Sequence, residues 1–331
     1  MNNLSPHDRF SEQMKSPGSK WIPRILELLI NEEQTRLLVS LPGTALEMAE
    51  KLGRPVEDVE ADLRDMFHKG LAFKKQKEEA TLWRAPGRLT QFHDATLVWP
   101  EAPPRLLELW RHYMEEEYPQ LARETAEASP RRPTRVIPVG KSVELGKARV
   151  LAPENLEMII QGARRLAVTD CTCRLSMQKC DAPVEVCLQI DRGADYAIER
   201  GSGRELTRGE ALEIMKQAED AGLVHVTMNQ AGVGHYICNC CGCCCLSFSL
   251  LLTEGLRRCE PSRYRPQINP EACSACGTCE DRCWFNAIGV SEGDVAEVNE
   301  EYCLGCGQCA VACPEEAIRM VEVREPDFIP G

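Results

Sequence analysis

Apolar residues recur at three- and four-residue spacing from position 21 onward, and this periodicity divides the first third of the chain into helices. Ile22, Ile25, Leu26, Leu29 and Ile30 share one helical face. Pro42-Gly43 breaks the pattern, after which 45–52 reads as a short helix stopped by Gly53. Pro55 opens another helix, with Val56, Val59, Leu63, Met66 and Phe67 on one face and Gly70 at its end. Residues 71–73 and 81–83 read as two strands around a charged turn at 74–79. Residues 1–19 are polar and close on Ser16-Pro17-Gly18-Ser19, the pattern of a loose arm. Further along, 106–118 is amphipathic and helical, 129–133 is a proline- and arginine-bearing linker, and 153–166 reads as helix. Thr207 and Glu210 make a capping-box pattern ahead of a helix that Gly222 ends. A strand is expected at 223–228, a glycine-bearing turn at 231–234, and a buried helix in the apolar run 246–252.

Helices followed by a hairpin resemble a winged helix-turn-helix domain, here covering roughly 20–92. That resemblance implies DNA binding, with 55–69 as the helix entering the groove. The charges on that helix oppose it: Glu57, Asp58, Glu60, Asp62 and Asp65 stand against Arg64 and Lys69 alone. Phosphate neutralisation dominates affinity for DNA, so such a face is repelled. Residues 20–90 carry 12 basic and 12 acidic side chains and leave no basic footprint. A protein-docking or dimerisation module is the reading favoured on charge.

At 331 residues the chain can hold two or three domains. It has no stretch apolar enough to cross a bilayer, and Met1-Asn2-Asn3-Leu4-Ser5-Pro6 does not begin a signal peptide, so a cytoplasmic location is expected. In a reducing compartment cysteines bind metal or do redox chemistry more often than they form disulfides. The chain has 19 cysteines and none of them precedes Cys171. The metal chemistry therefore belongs to its second half.

The end of the chain repeats itself with an offset of thirty residues. Cys273, Cys276, Cys279 and Cys283 match Cys303, Cys306, Cys309 and Cys313; Gly277 matches Gly307, and Ala287-Ile288 matches Ala317-Ile318. Each half is C-x2-C-x2-C-x3-C, a spacing at which thiolates can wrap a cube while glycine lets the backbone turn tightly. Zinc modules use separated cysteine pairs instead. This region, about 266–323, resembles the bacterial two-cluster ferredoxins. The resemblance implies two [4Fe–4S] clusters and a cross-over, with the fourth cysteine of each run serving the other cluster. One cluster would then take Cys273, Cys276, Cys279 and Cys313, and the second Cys303, Cys306, Cys309 and Cys283. The family usually has proline after the fourth cysteine; Pro314 keeps it, and Trp284 replaces it.

Ten further cysteines form two groups, Cys171, Cys173, Cys180 and Cys187, then Cys238, Cys240, Cys241, Cys243, Cys244 and Cys245. Adjacent cysteines cannot all face one cube, so these imply one or two further iron–sulfur clusters with some thiols spare. Cys238, Cys241 and Cys244 keep C-x2-C-x2-C spacing, a coincidence that costs little in so dense a run. Cys259 reads as a buried thiol, and His225 and His235 as structural residues. No radical-SAM run, P-loop or dinucleotide fingerprint is present.

The expected fold is α+β and multidomain: an arm at 1–19, a winged-helix-like domain at 20–92, a helical linker at 93–135, a mixed α/β cysteine-rich domain at 136–265 and a two-cluster ferredoxin-like domain at 266–331. A piece ending near Tyr264 should then retain iron and sulfide after anaerobic reconstitution. The last 66 residues carry 13 acidic and 3 basic side chains, a net of −10 out of −12 for the chain. An acidic domain points to a redox protein partner with a basic surface rather than to nucleic acid. The expected function is electron transfer as a subunit or dedicated partner of a larger redox enzyme, with a homodimer also compatible. A redox-sensing winged-helix regulator and a reductase with a catalytic middle cluster are the alternatives.

Overall fold

The computed structural model describes residues 4–77, 80–129, 131–146, 151–232, 234–291 and 295–331. The chain forms two compact units. The first is Met1–Thr125 with Leu175–Met177 and Glu199–Ser202; the second is Ala126–Arg174, Gln178–Ile198 and Gly203–Gly331. Among the described residues no helix is long and apolar enough to cross a membrane.

The first unit is mainly helical: α1 (Pro6–Gln13), α2 (Ile22–Leu29), α3 (Glu32–Ser40), α4 (Ala45–Leu52), α5 (Val56–His68), the strands β1 (Phe73–Gln76) and β2 (Thr81–Arg84), then α6 (Leu89–Leu97), α7 (Pro104–Glu116) and α8 (Tyr118–Glu127). The loose arm expected at 1–19 is instead built into this unit. Ser5 caps α1, Phe10 and Met14 lie four residues apart on one buried face, and Phe10 packs edge-on against Phe92 at 5.1 Å. Two apolar residues among polar ones gave too weak a period to read. α3 also escaped the periodicity; Asn31 and Gln34 start it with a reciprocal capping box.

α4 begins on a Thr44–Glu47 capping box and stops where Gly53 takes φ 64°. α5 and the antiparallel hairpin β1–β2 follow in the expected order, with Phe73 opposite Arg84. Glu78 and Glu79, part of the expected turn, lie outside the described residues. The stretch expected as a helical linker, 93–135, largely belongs to the core of this unit: Trp110 and Tyr113 of α7 are fully buried, as is His93 of α6. The Arg200 guanidinium donates to the carbonyls of Phe67, His68 and Ala95, satisfying the last turns of α5 and α6.

The second unit contains β3 (Thr134–Ile137), α9 (Gly140–Gly146), α10 (Leu156–Gly162), β4 (Leu166–Asp170), the first half of α11 (Thr172–Met177), β5 (Glu185–Ile190), α12 (Arg192–Glu199) except its last residue, β6 (Arg204–Leu206), α13 (Arg208–Asp220), β7 (Val224–Met228), β8 (Tyr236–Cys240), α14 (Phe248–Glu254) and β9 (Cys259–Glu260). Its seven-stranded sheet has the order β6-β4-β5-β8-β7-β3-β9, antiparallel except where β3 meets β9. The helix expected at 153–166 is shorter, because the chain is already in β4 at Leu166. Val233, in the expected turn at 231–234, lies outside the described residues.

The ferredoxin-like segment follows as β10 (Tyr264–Ile268), α15 (Thr278–Asp281), β11 (Ile288–Val290), β12 (Ala296–Val298), α16 (Gln308–Ala312) and β13 (Ile318–Glu322), with β10 pairing β13 and β11 pairing β12. The boundary expected at 265 is not a boundary between cores. Val136, Val224 and Val226 of the sheet share one apolar cluster with Phe248, Phe285 and Leu304. Val143 of α9 joins Tyr264, Ile318 and Met320 in another. The buried Arg263 guanidinium binds Glu154 on one side and Glu322 on the other.

Candidate metal centres

The thirty-residue repeat folds into two matching halves. In each, a glycine in the left-handed region, Gly277 at φ 77° or Gly307 at φ 82°, turns the chain into a short helix carrying the third cysteine. The fourth cysteine of each run accepts an N–H bond at 3.4 Å from the residue four positions on, Ala287 to Cys283 and Ala317 to Cys313. Gly305 and Gly307 also allow close approach. A Cβ on the former would lie 2.1 Å from the Tyr264 carbonyl oxygen, and one on the latter 2.1 Å from Ser142 Oγ.

The eight thiols line two cavities, four to each. Cys273, Cys276, Cys279 and Cys313 surround one. Cys303, Cys306, Cys309 and Cys283 surround the other. The fourth cysteine of each run therefore faces the cavity of the other run. Four thiols around one space, with backbone N–H groups aimed at sulfur, are a donor set that fits a [4Fe–4S] cluster. The two surroundings differ. Cys276 is exposed, and hydrogen bonds from the Thr278 side chain and backbone hold its thiol below the usual range. Burial pushes Cys306 up to about 12 and raises Cys303 and Cys309 as well.

The ten middle cysteines separate into a ring of six and a tight group of four. In the ring, Cys171 contacts Cys173 and Cys187, Cys173 contacts Cys245, Cys245 contacts Cys240, Cys240 contacts Cys238, and Cys238 returns to Cys187. Period-two alternation on β8 puts Cys238 and Cys240 on one face and Asn239 on the other. Hydrogen bonds from Cys173 and Cys240, and then the N–H groups of Phe248 and Ser247, hold the Cys245 thiol well below its ordinary range. Cys238 packs against the same apolar cluster as Cys283, Cys303 and Cys306, so the ring adjoins the cavity those three thiols line.

Cys180, Cys241, Cys243 and Cys244 form the second group, their sulfurs all within 4.8 Å of one another. The C-x2-C-x2-C reading of Cys238, Cys241 and Cys244 is thus coincidental, since Cys238 sits in the ring. Arg174, which no cysteine spacing points to, is buried beside both groups. Its guanidinium donates to the Asn239 carbonyl at 3.0 Å and approaches Cys241 Sγ at 3.7 Å. Burial lowers its pKa, but Cys171, Cys241 and Cys187 together outweigh that and raise it above the ordinary guanidinium range. Its position in C-x-C-R, next to Cys173, was the only sequence signal available.

Cys259 lies on β9, fully buried, and burial raises its thiol. Both ring nitrogens of His225 are occupied, by Asn239 and by Glu219, so His225 is a hydrogen-bonded core histidine.

Residues 296–319, spanning β12 to the start of β13 and including Cys303, Cys306, Cys309 and Cys313, match a family described as 4Fe-4S binding domain. No curated protein and no solved structure matches the chain. The match and the converging thiols mark an iron–sulfur, ferredoxin-like region at the end of the chain.

Proposed function

We propose that this chain is an iron–sulfur electron-transfer protein, a subunit or dedicated partner of a larger redox enzyme. Cys273, Cys276, Cys279 and Cys313 hold one [4Fe–4S] cluster, and Cys303, Cys306, Cys309 and Cys283 hold a second. Cys171, Cys173, Cys187, Cys238, Cys240 and Cys245 supply the ligands of a further iron–sulfur cluster. When bound, such clusters supply one-electron couples at potentials set by burial and by hydrogen bonds to sulfur.

The observation that carries this reading is the gradation of exposure along three adjacent thiol groups. Cys276 is exposed, Cys303, Cys306 and Cys309 are half-buried, and the six-thiol ring lies against the same core as that quartet. Cys276 gives a partner a point of close approach. Phe285 and Leu304 keep water from the inner quartet. Exposed Glu271, Glu280, Asp281, Glu315 and Glu316 give the outer end a negative surface suited to a redox protein with a basic docking patch. Exposed Glu57, Asp58 and Glu60 on α5 favour a protein-binding or dimerisation role for the N-terminal unit over duplex binding.

Anaerobic purification followed by iron, acid-labile sulfide and spectroscopic analysis tests the proposal. At least about eight irons and eight sulfides per chain are expected from the two ferredoxin-type quartets. Zinc in place of iron there, or a single four-iron cluster, refutes it.

A further inference from the structure

The four thiols set apart from the ring have a geometry of their own. Cys180 Sγ lies 3.7 Å from Cys241 Sγ and 3.9 Å from Cys244 Sγ, and Cys243 Sγ lies 3.8 Å from Cys244 Sγ. A tetrahedron of thiolates at the zinc–sulfur distance of about 2.3 Å has edges of about 3.8 Å. A four-iron cube binds its thiolates on four separate irons, which holds the sulfurs much further apart. Among the described residues, these four thiols are the group placed closely enough to share a single metal ion.

We propose that Cys180, Cys241, Cys243 and Cys244 bind one tetrahedral metal ion without sulfide, zinc or a single iron. This site is distinct from the iron–sulfur clusters of the proposed function and does not depend on them.

The surroundings suit a compact dianionic centre, as four thiolates around a divalent ion would be. Lys179 N–H donates to Cys244 Sγ at 3.4 Å, and Arg174 approaches Cys241. Arg174 is 4% exposed, so its charge acts on these thiolates with little screening by water. Gly242 lets the turn close: a Cβ there would lie 2.8 Å from the Trp284 carbonyl oxygen. Cys180 belongs to an irregular stretch between α11 and β5, and the other three to the turn after β8. A bound ion would tie these two stretches together where no backbone ladder does.

The test uses the full-length chain, isolated anaerobically, and measures zinc, iron and acid-labile sulfide in the wild type, Cys180→Ser and Cys243→Ser. The wild type should carry about one metal ion beyond its iron–sulfur content, with four sulfur neighbours at about 2.3 Å by X-ray absorption. A zinc signal, or one iron in excess of sulfide, both uphold the site and identify the ion. Each variant should lose that ion while iron–sulfur content stays constant. Loss of about four irons together with four sulfides from Cys243→Ser would overturn the proposal. So would a wild-type protein with no ion beyond its clusters, a result that stands even if both variants fail to fold. Because iron and sulfide of the ferredoxin-type quartets are counted in the same sample, failure here is distinguishable from failure of the electron-transfer reading.

Discussion

The indole N–H of Trp284 donates a 2.7 Å hydrogen bond to the carbonyl of Gly222, at the turn between α13 and β7. Trp284 stands where the matching half of the repeat has Pro314. Its neighbours reach the same turn: Arg282 donates to the Glu219 and Asp220 carbonyls, and Gln308 to that of Leu223. The last carbonyls of a helix lack partners within it, and here side chains of the ferredoxin-like segment supply them. Trp284 thus holds the ferredoxin-like segment against the turn between α13 and β7.

Replacing Trp284 by phenylalanine keeps much of the ring packing and removes the N–H. The lost bond is worth about 1 kcal/mol. The anaerobic denaturant midpoint should fall accordingly while iron content stays at the wild-type value; an unchanged midpoint would show that the contact does not contribute to stability.

Arg263 and Glu154 form an ion pair at 3.0 Å with both side chains about 1% exposed. Removing Arg263 strands the Glu154 carboxylate in the core, so Arg263→Met should destabilise the protein by about 3–5 kcal/mol. Glu154→Leu leaves Arg263 paired with Glu322 and should cost less. The double replacement should be less damaging than the sum of the two, which a double-mutant cycle measures.

A chain ending near Tyr264 loses β10, β13 and the residues that cover Val136, Val224 and Val226. Contrary to the domain boundary read from sequence, such a fragment should express as aggregated or protease-sensitive material, since a large apolar surface is left uncovered. Soluble, iron-bearing fragment would restore the boundary at 265.

Cys283→Ser should perturb the cluster assigned to Cys303, Cys306 and Cys309, the thiols with which Cys283 shares a cavity. Low-temperature paramagnetic resonance of the reduced protein separates the outcomes. A change confined to the cluster of Cys273, Cys276 and Cys279 would reject the cross-over.

The exposed carboxylates near Cys276 should steer a basic redox partner, so electron transfer to co-purified proteins should slow as salt rises from low to physiological ionic strength. Sequence-specific duplex binding that survives physiological salt would instead favour the regulator reading.

The sequence alone was enough to read the duplicated cysteine runs and to expect [4Fe–4S] chemistry at the end of the chain, because ligand spacing along a tight turn is a local property. It also located α4, α5, α13 and β7, where periodicity and capping residues agree. It could not separate the ten middle cysteines. Their division into a ring of six and a group of four depends on β4 and β8 both pairing with β5, and on the turn after β8 reaching back to Cys180, all contacts between residues well separated in sequence. The arm that became α1 and the domain boundary that dissolved into a shared core belong to the same class. Each was decided by which apolar surfaces were left to cover one another, and a linear pattern records that surfaces are apolar without recording what they meet.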